Sequence, residues 1–562
     1  MSKKQYLPNR SQGLILAIFM FIFWAAPLGG TAVSQNDPTA SYIVQAADLE
    51  TAVTAVSQVG SVVTHELTVI NAVGTQLTAA QHSRLSTQDG LRVYADIQLE
   101  VAGTILETDF PALIDADVAH GMGITGDDVT VAVLDTGFIP DAFLQKDPSG
   151  STRIKAQYNA ISDTQVANTV NSDDSGHGSH ISSVLLSSGT IDGTYNGVAP
   201  FADLVVVKAF DANGSGSYMD VIRGVDWVIA NKDTYDIRVL NLSFSAPPQS
   251  YYWDDPLNQA VMRAWQAGIV VVAAAGNSGP DPMTIGVPGN VPYLITVGAI
   301  SDNYTPDDRS DDFVTSFSAT GPTYEGFVKP DVVAPGGHLL GLVQKSAELA
   351  QEYPEYVVEK RYFEMSGTSQ ATAVTSGVVA LMLQADPSLT PDDVKCRLMI
   401  AANPSVNEDN TLAYSLFQQG AGLVNVMAAI NSNESGCANQ GMDIQADLDG
   451  SQHYGGPASY DEATNTYNLV DANGNFIGDA YSWNGAYSGT NGNFWSGGNF
   501  WSGGNFWSGG NFWSGGNFWS GGNFWSGGNF WSGGNFWSGS FAENANVNLN
   551  SNMHINTWVS QE

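Results

Sequence analysis

Between residues 107 and 432 the chain alternates short apolar runs with stretches of helical character. Val129-Thr130-Val131-Ala132-Val133-Leu134 is one such run, and Leu204–Val207, Val239–Leu242 and Ile269–Ala274 are others. Each has the length of a strand buried on both faces. The stretches near Tyr218–Ala230 and Leu257–Ala267 read as helices, the second with its apolar residues at helical spacing. Buried strands alternating with helices predict an α/β unit, a mostly parallel central sheet flanked by helices in three layers. In such sheets ligands bind beyond the carboxyl ends of the strands, so the polar residues that follow each run are where chemistry is sought.

The pattern changes on both sides of this unit. Residues 1–32 open with Lys3, Lys4 and Arg10, pass through the apolar run Gly13–Leu28 and end in Gly29, Gly30, Thr31 and Ala32. A positive flank, an apolar stretch and small residues are the layout of a secretory signal peptide, with cleavage expected after Ala32. The run is short and proline-interrupted for a stable membrane span, and no later segment is apolar enough to cross a bilayer. Residues 33–106 hold a small α+β segment: Ser41-Tyr42-Ile43-Val44, a helix near Asp48–Val59, and Leu91-Arg92-Val93-Tyr94-Ala95-Asp96. A module this small is marginal alone, and its place behind an export signal suits a segment that is later removed. Past Ile430 aliphatic residues become sparse, and 433–492 reads as a polar linker or a small, weakly packed C-terminal region. Asn-Phe-Trp-Ser-Gly then recurs eight times at a period of six from Asn493 to Gly539, with eight of the 14 Trp residues, before a tail at 540–562.

Charge narrows the function classes. Lys and Arg number 20 against 56 Asp and Glu, a formal net charge of −36. Such a surface repels phosphate backbones and anionic membranes, which argues against nucleic-acid binding. Hydrophobic residues make up 43%, enough for a sizeable core. The two cysteines, Cys396 and Cys437, can pair in an oxidising compartment or stay as free thiols, and the sequence leaves both open. Neither lies near a cluster that would suggest zinc or a thiol enzyme.

Four short stretches carry candidate chemistry. The first strand runs directly into Asp135-Thr136-Gly137, where a carboxylate at a strand's carboxyl end is placed to orient an imidazole; a turn Asp is the plainer alternative. Gly176-His177-Gly178-Ser179-His180 leads into a helix. Its two histidines lack a third metal ligand, so one catalytic base plus one structural His is the better reading. Ser366-Gly367-Thr368-Ser369-Gln370-Ala371-Thr372-Ala373 opens a long apolar helix, whose N-terminus supplies positive field and unpaired N–H groups near Ser369; an ordinary N-cap is the alternative. Ala274-Ala275-Gly276-Asn277 follows a buried strand, and Asn277 can donate into an oxyanion hole or simply make a turn.

Taken together in this chain order, the four stretches resemble the subtilisin-like (subtilase) serine protease family over about residues 107–430. Gly197-Val198-Ala199-Pro200, Lys329-Pro330-Asp331-Val332-Val333-Ala334-Pro335-Gly336 and Gln419-Gly420-Ala421-Gly422 support the resemblance. It implies Ser369 as nucleophile, His177 as base, Asp135 as the group holding the imidazole, and Asn277 with the Ser369 N–H as oxyanion donors. It further implies a substrate strand along Ser243-Phe244-Ser245 and a specificity pocket walled by Ala273–Gly276, Ala275 and Gly276 included, with Gly286 near its floor. No acidic residue stands there, so apolar side chains before the cut and broad specificity are expected. Two positions depart from the family: Gln370 replaces the usual Met, and Ala373 the usual Pro, a helix-start preorganiser. Residues 33–106 look like the family's inhibitory propeptide, notably Val62-Val63-Thr64-His65-Glu66-Leu67 and Gly90-Leu91-Arg92-Val93, with self-cleavage expected between Glu100 and Asp109. No cofactor is required; the family admits structural calcium, but no loop here shows a ligand spacing that supports it, and the metal question stays open.

The expected function is therefore a secreted or cell-surface serine endopeptidase acting on proteins or peptides and processed from a zymogen. A period of six puts every Phe of the repeat on one side of an extended chain and every Trp on the other. That suits a small β-solenoid or an aromatic surface for cell-wall glycans, with a low-complexity tail as the plainer alternative. A surface adhesion or matrix protein on an inactive protease scaffold is the competing function, and a processing protease with a single substrate a third.

Overall fold

The computed structural model describes residues 39–88, 90–95, 109–191, 193–306, 308–407, 411–470, 475–480, 552–554 and 559. The expected signal segment, residues 96–108 around the expected propeptide cut, and the aromatic repeat lie outside them. The chain divides into two units, residues 1–103 and 104–562.

In the first unit four antiparallel strands lie in the order Val63–Leu67, Ala72–Thr78, Thr39–Gln45, Arg92–Ala95. Two helices join them. Leu49–Gln58 is the helix expected from the sequence, and it starts where the Asp48 carboxylate accepts the Thr51 N–H at 2.8 Å. Ala79–Ser86 starts at a capping box between Thr78 and Gln81. Val44, Ala52, Val56, Val73, Leu77 and Leu85 form this unit's own core.

The second unit is built on a nine-stranded sheet. From one edge it runs Phe313–Val314, Ile295–Ser301, Val270–Ala274, Ile237–Leu242, Thr130–Asp135, Asp203–Lys208, Ile154–Asn159, Thr164–Val166, with Val332–Pro335 also paired to Ile295–Ser301. Pairing is parallel except at Phe313–Val314 and Thr164–Val166, so the expected parallel sheet is mixed at its edges. All residues of Thr130–Asp135 are buried, which is why its sequence is a continuous apolar run ending in an acid. His177–Leu186 and Thr368–Ala385 pack together against the sheet, while Tyr218–Ala230 and Pro256–Gln266 form a second helix pair. Thr368–Ala385 is buried all round from Thr368 to Leu383, a helix apolar enough to run through the core. Among the described residues no helix is long and apolar enough to cross a membrane.

The Lys329-Pro330-Asp331 stretch forms a buried ionic node. Asp331 pairs with Lys329 Nζ at 2.6 Å and Lys395 Nζ at 3.1 Å, and also accepts the Thr296 N–H at 2.8 Å. Both ammonium groups donate to the Leu294 carbonyl as well. Burial pushes the Lys329 amine down to about 7.

The stretch after Ile430 is more firmly packed than its composition suggests. Ala458–Asp461, Thr466–Val470 and Phe476–Asp479 make a three-stranded antiparallel sheet, and Tyr454, Leu469 and Ala480 enter the main core. The attachment is largely polar, which a count of aliphatic residues does not see. Asp447 accepts the Tyr252 hydroxyl at 2.5 Å and the Tyr293 hydroxyl at 3.1 Å, and pairs with His453 Nδ1 at 2.7 Å. Gly456 N–H donates to the Glu325 carbonyl at 2.7 Å. Cys396 and Cys437 are joined in a disulfide, Cα atoms 5.2 Å apart, tying helix Pro391–Ala401 to this region. Finally, Asn552–His554 returns to pair antiparallel with Ser215–Ser217, and the Met553 side chain is buried in the main core.

Candidate active site

Asp135 ends the middle strand of the sheet, and its Oδ1 lies 2.7 Å from His177 Nδ1, in a pair that is almost wholly buried. The Thr136 N–H donates to the same oxygen at 2.7 Å. Lys208, opposite Asp135 in the neighbouring parallel strand, places its ammonium on the Thr136 carbonyl at 2.6 Å. His177 opens its helix after Gly176, whose φ of +98° is one that side chains rarely adopt. A Cβ on Gly178 would fall 2.5 Å from the Gly137 carbonyl oxygen, so the Asp135 turn and the His177 helix meet backbone to backbone.

Asp173 locks this junction. Its Oδ1 accepts the Gly176 N–H and the Thr136 hydroxyl, both at 2.8 Å, and its Oδ2 accepts the Ser179 N–H at 2.8 Å and the Ser179 hydroxyl at 2.5 Å. The Thr136 hydroxyl in turn accepts the Gly178 N–H at 2.8 Å. Sequence reasoning missed Asp173; the only signal was an acid four residues ahead of His177, where a carboxylate can satisfy free helix N–H groups. His180, the second histidine, has Nε2 3.1 Å from the Leu339 carbonyl and 3.0 Å from that of Phe363. Burial and the nearby His177 drive it down to about 3, which favours the neutral ring.

Ser369 is the second residue of its helix and is held reciprocally by Ser243. Its Oγ donates to the Ser243 carbonyl at 2.9 Å, and the Ser243 hydroxyl donates to the Ser369 carbonyl at 2.9 Å. Asn241 braces Ser243 through Nδ2 at 2.9 Å. Asn277 caps the same helix: its Oδ1 accepts the Thr368 N–H at 3.0 Å and the Thr368 hydroxyl at 2.8 Å. With the carbonyl end so engaged, Nδ2 is the end turned toward Gly367. An ideal Cβ on Gly367 would lie 3.2 Å from Asn277 Nδ2 and 3.7 Å from the Ser369 nitrogen. Two N–H donors thus border one small space that a missing side chain keeps open, and Gln370 Oε1, 2.8 Å from the same Cβ position, borders it as well.

The two departures are accommodated. Gln370 is buried, with Nε2 3.0 Å from Met365 Sδ and 3.5 Å from His180 Nδ1, which links the Ser369 helix to the His177 helix. Ala373 lies inside an uninterrupted helix, so the N-terminal turn forms without a proline.

The expected pocket residues also converge. A Cβ on Gly276 would touch Ser245 Oγ at 2.8 Å, and one on Gly286 would touch Ser245 Cβ at 2.9 Å. Gly286 N–H donates to the Ala275 carbonyl at 3.0 Å. Ala275, Ile285 and Ala319 form a small apolar cluster beside them, and Phe244 is fully buried. Among the described residues no group of three or more His, Cys, Asp or Glu side chains could hold a metal ion.

An α/β sheet carrying a buried carboxylate–imidazole pair, together with a serine in the first turn of a buried helix, is the arrangement of a serine protease of the subtilisin type. Comparison of the sequence with known families and relatives agrees. Residues 126–422 match the subtilase family, and this chain belongs to it. It is 39% identical over 365 residues to serine protease AprX of Bacillus subtilis (strain 168), covering 63% of this chain and 78% of that protein. It is 31% identical over 319 residues to subtilisin DY of Bacillus licheniformis, covering 56% and 96%. Among solved structures, fervidolysin of Fervidobacterium pennivorans matches at 22% identity over 72% of this chain and 62% of its own, with a TM-score of 0.46.

Proposed function

We propose that this subtilisin-like protease is exported, is processed from a zymogen, and cuts peptide bonds through Asp135, His177 and Ser369. The observation that carries the reading is the buried 2.7 Å contact between His177 Nδ1 and Asp135. It fixes the tautomer in which Nε2 is the free base. Ser369 Oγ attacks the scissile carbonyl carbon as its proton passes to His177 Nε2, and Asp135 stabilises the imidazolium. The carbonyl oxygen, now negative, takes hydrogen bonds from Asn277 Nδ2 and the Ser369 N–H. His177 then protonates the departing amine, which leaves an acyl-enzyme. Water adds to that ester with the same base, and Ser369 is released.

The substrate's acyl side lies along Ser243-Phe244-Ser245, and the side chain before the cut enters the slot between Ser245, Ala275, Gly276 and Gly286. That slot has no charged group, so apolar side chains of medium or large size are preferred and specificity is broad. Residues 1–32 direct export, and residues 33–106 are the inhibitory propeptide.

Labelling of the secreted protein with a fluorophosphonate, beside a Ser369→Ala control, tests the reading. Labelling that the control loses, with a mature band shorter than the precursor, is the expected result. A correctly folded, propeptide-free protein that does not label would rule out the protease mechanism and favour an adhesion protein on an inactive scaffold. A peptide-library digest with cuts confined to Lys or Arg would overturn the pocket assignment alone.

A further inference from the structure

The C-terminal strand does not join the central sheet. Asn552–His554 and Ser215–Ser217 make a two-stranded sheet of their own, in the register Ser217 to Asn552, Gly216 to Met553 and Ser215 to His554. The place of Ser215–Ser217 relative to the catalytic groups is fixed by its neighbours. Ala209 and Phe210, just ahead of it, donate their N–H groups to the Asp135 carbonyl at 2.9 and 3.3 Å. The chain then turns at Asp211, whose N–H bonds the Ser215 carbonyl at 2.8 Å. Phe210 packs on Phe244, ring centroids 5.0 Å apart, and Phe244 follows Ser243, which holds Ser369. Two backbone edges, Ser215–Ser217 and Ser243–Ser245, thus stand beside the site, one tied to Asp135 and one to Ser369.

An open edge of this kind binds an extended peptide by adding a strand, with pockets for alternate side chains giving selectivity. Gly216 favours this, because a Cβ there would strike the Ala209 carbonyl at 2.7 Å and the Phe210 ring at 2.8 Å. The edge is consequently a plain backbone rail laid on an aromatic floor. The chain's own C-terminus already occupies it. Met553 is 1% exposed and seated in the main core, and Val559 packs against the same core. Methionine fits such a seat, being unbranched and adaptable.

We propose that residues 552–554 form an autoinhibitory strand: the C-terminus holds the Ser215–Ser217 edge as a tethered peptide ligand and competes with the acyl side of a substrate for it. The inference rests on the assignment of Ser369 and its cleft under the proposed function. Because the ligand is part of the chain, its local concentration is set by the tether, and weak strand pairing is enough to hold it. A tail bound nine-tenths of the time raises the apparent KM about tenfold and leaves kcat unchanged, since saturating substrate displaces it.

The test compares the mature full chain, the same protein with residues 541–562 removed, and full-length Met553→Asp. Kinetics are measured on a peptide p-nitroanilide with an apolar residue before the cut, with active sites counted by fluorophosphonate. The expected result is a KM about tenfold lower in both altered proteins at unchanged kcat. A synthetic peptide of residues 546–562 should restore the higher KM of the truncated enzyme competitively. A KM within about twofold of the full chain in Met553→Asp, with no inhibition by the peptide, would overturn the proposal while the protease assignment stands. Should the truncated protein fail to fold, the point variant decides alone. A full chain that takes no fluorophosphonate would instead overturn the protease assignment.

Discussion

A methyl group on Gly367 would fall 2.8 Å from Gln370 Oε1, 3.2 Å from Asn277 Nδ2 and 3.7 Å from the Ser369 nitrogen, in the space that the proposed mechanism gives to the substrate oxygen. Gly367→Ala is therefore expected to lower kcat by at least the ~10²–10³ known for loss of one oxyanion donor in subtilisin itself, with little change in KM. Steady-state kinetics on protein of matched folded content checks this, and an unchanged kcat would place the oxyanion elsewhere. Asn277→Ala should show a loss of similar size, and the double variant much less than the product, because both act on one hole. The residues of this site are unevenly legible in sequence. Asp135, His177, Asn277 and Ser369 announce themselves because each sits within two residues of a glycine in a short stretch, and the stretches fall in a telling order. Asp173 does not, although it fixes the turn and the helix that bring Asp135 and His177 together. Two of its four donors are backbone N–H groups, which leave no trace in residue identity. The part played by Gly367 is hidden too, since only the packed structure shows what its hydrogen makes room for.

Strands buried on both faces were the easiest elements to read, because nothing polar interrupts Val131–Leu134 or Val270–Ala274. Ile154–Asn159 escaped for the opposite reason. Lys155, Gln157 and Asn159 alternate with its apolar residues, and buried Gln157 donates to the Ala167 and Val170 carbonyls, both at 3.1 Å. Helix Pro391–Ala401 was masked by Lys395, a cation on the face that turns inward; only Thr390, Pro391 and Asp393 mark its start. Lys395 is tolerated there because Asp331 and three backbone carbonyls surround its ammonium. Asp331→Ala would leave two buried ammonium groups without their carboxylate and is expected to cost about 3–5 kcal/mol. Urea unfolding in a Ser369→Ala background, where self-digestion is absent, measures it. A loss under ~1 kcal/mol would mean that the carbonyls alone hold the lysines.

The molecule as a whole is held to its C-terminal region by polar contacts whose balance changes with pH. Glu325 is buried beside Tyr252, with one carboxyl oxygen accepting the Tyr252 N–H at 2.7 Å, and burial pushes its carboxyl up to about 7. An acid raised in the folded state stabilises the fold fully below its unfolded value, near 4.5, and loses that contribution as pH rises through about 7. Glu325→Gln removes this liability. Its melting temperature should exceed that of the parent increasingly between pH 5 and pH 8, reaching about 1–3 kcal/mol of added stability at the upper end. A difference that does not vary with pH would show that Glu325 is ionised in the fold throughout. The same region explains why the C-terminal part was hard to read: its anchors are tyrosine hydroxyls, a carboxylate and a disulfide rather than aliphatic runs. Ala480 and Met553, buried in the same core, stand on either side of the eight-fold repeat. The chain is thus held in one core on both sides of the repeat, and the free energy of closing a flexible segment grows only with the logarithm of its length, about 0.6 kcal/mol per doubling. Adding or dropping one six-residue unit is expected to leave Ala480 and Met553 in place and to change stability by much less than ~0.6 kcal/mol, which melting of the two variants beside the parent measures.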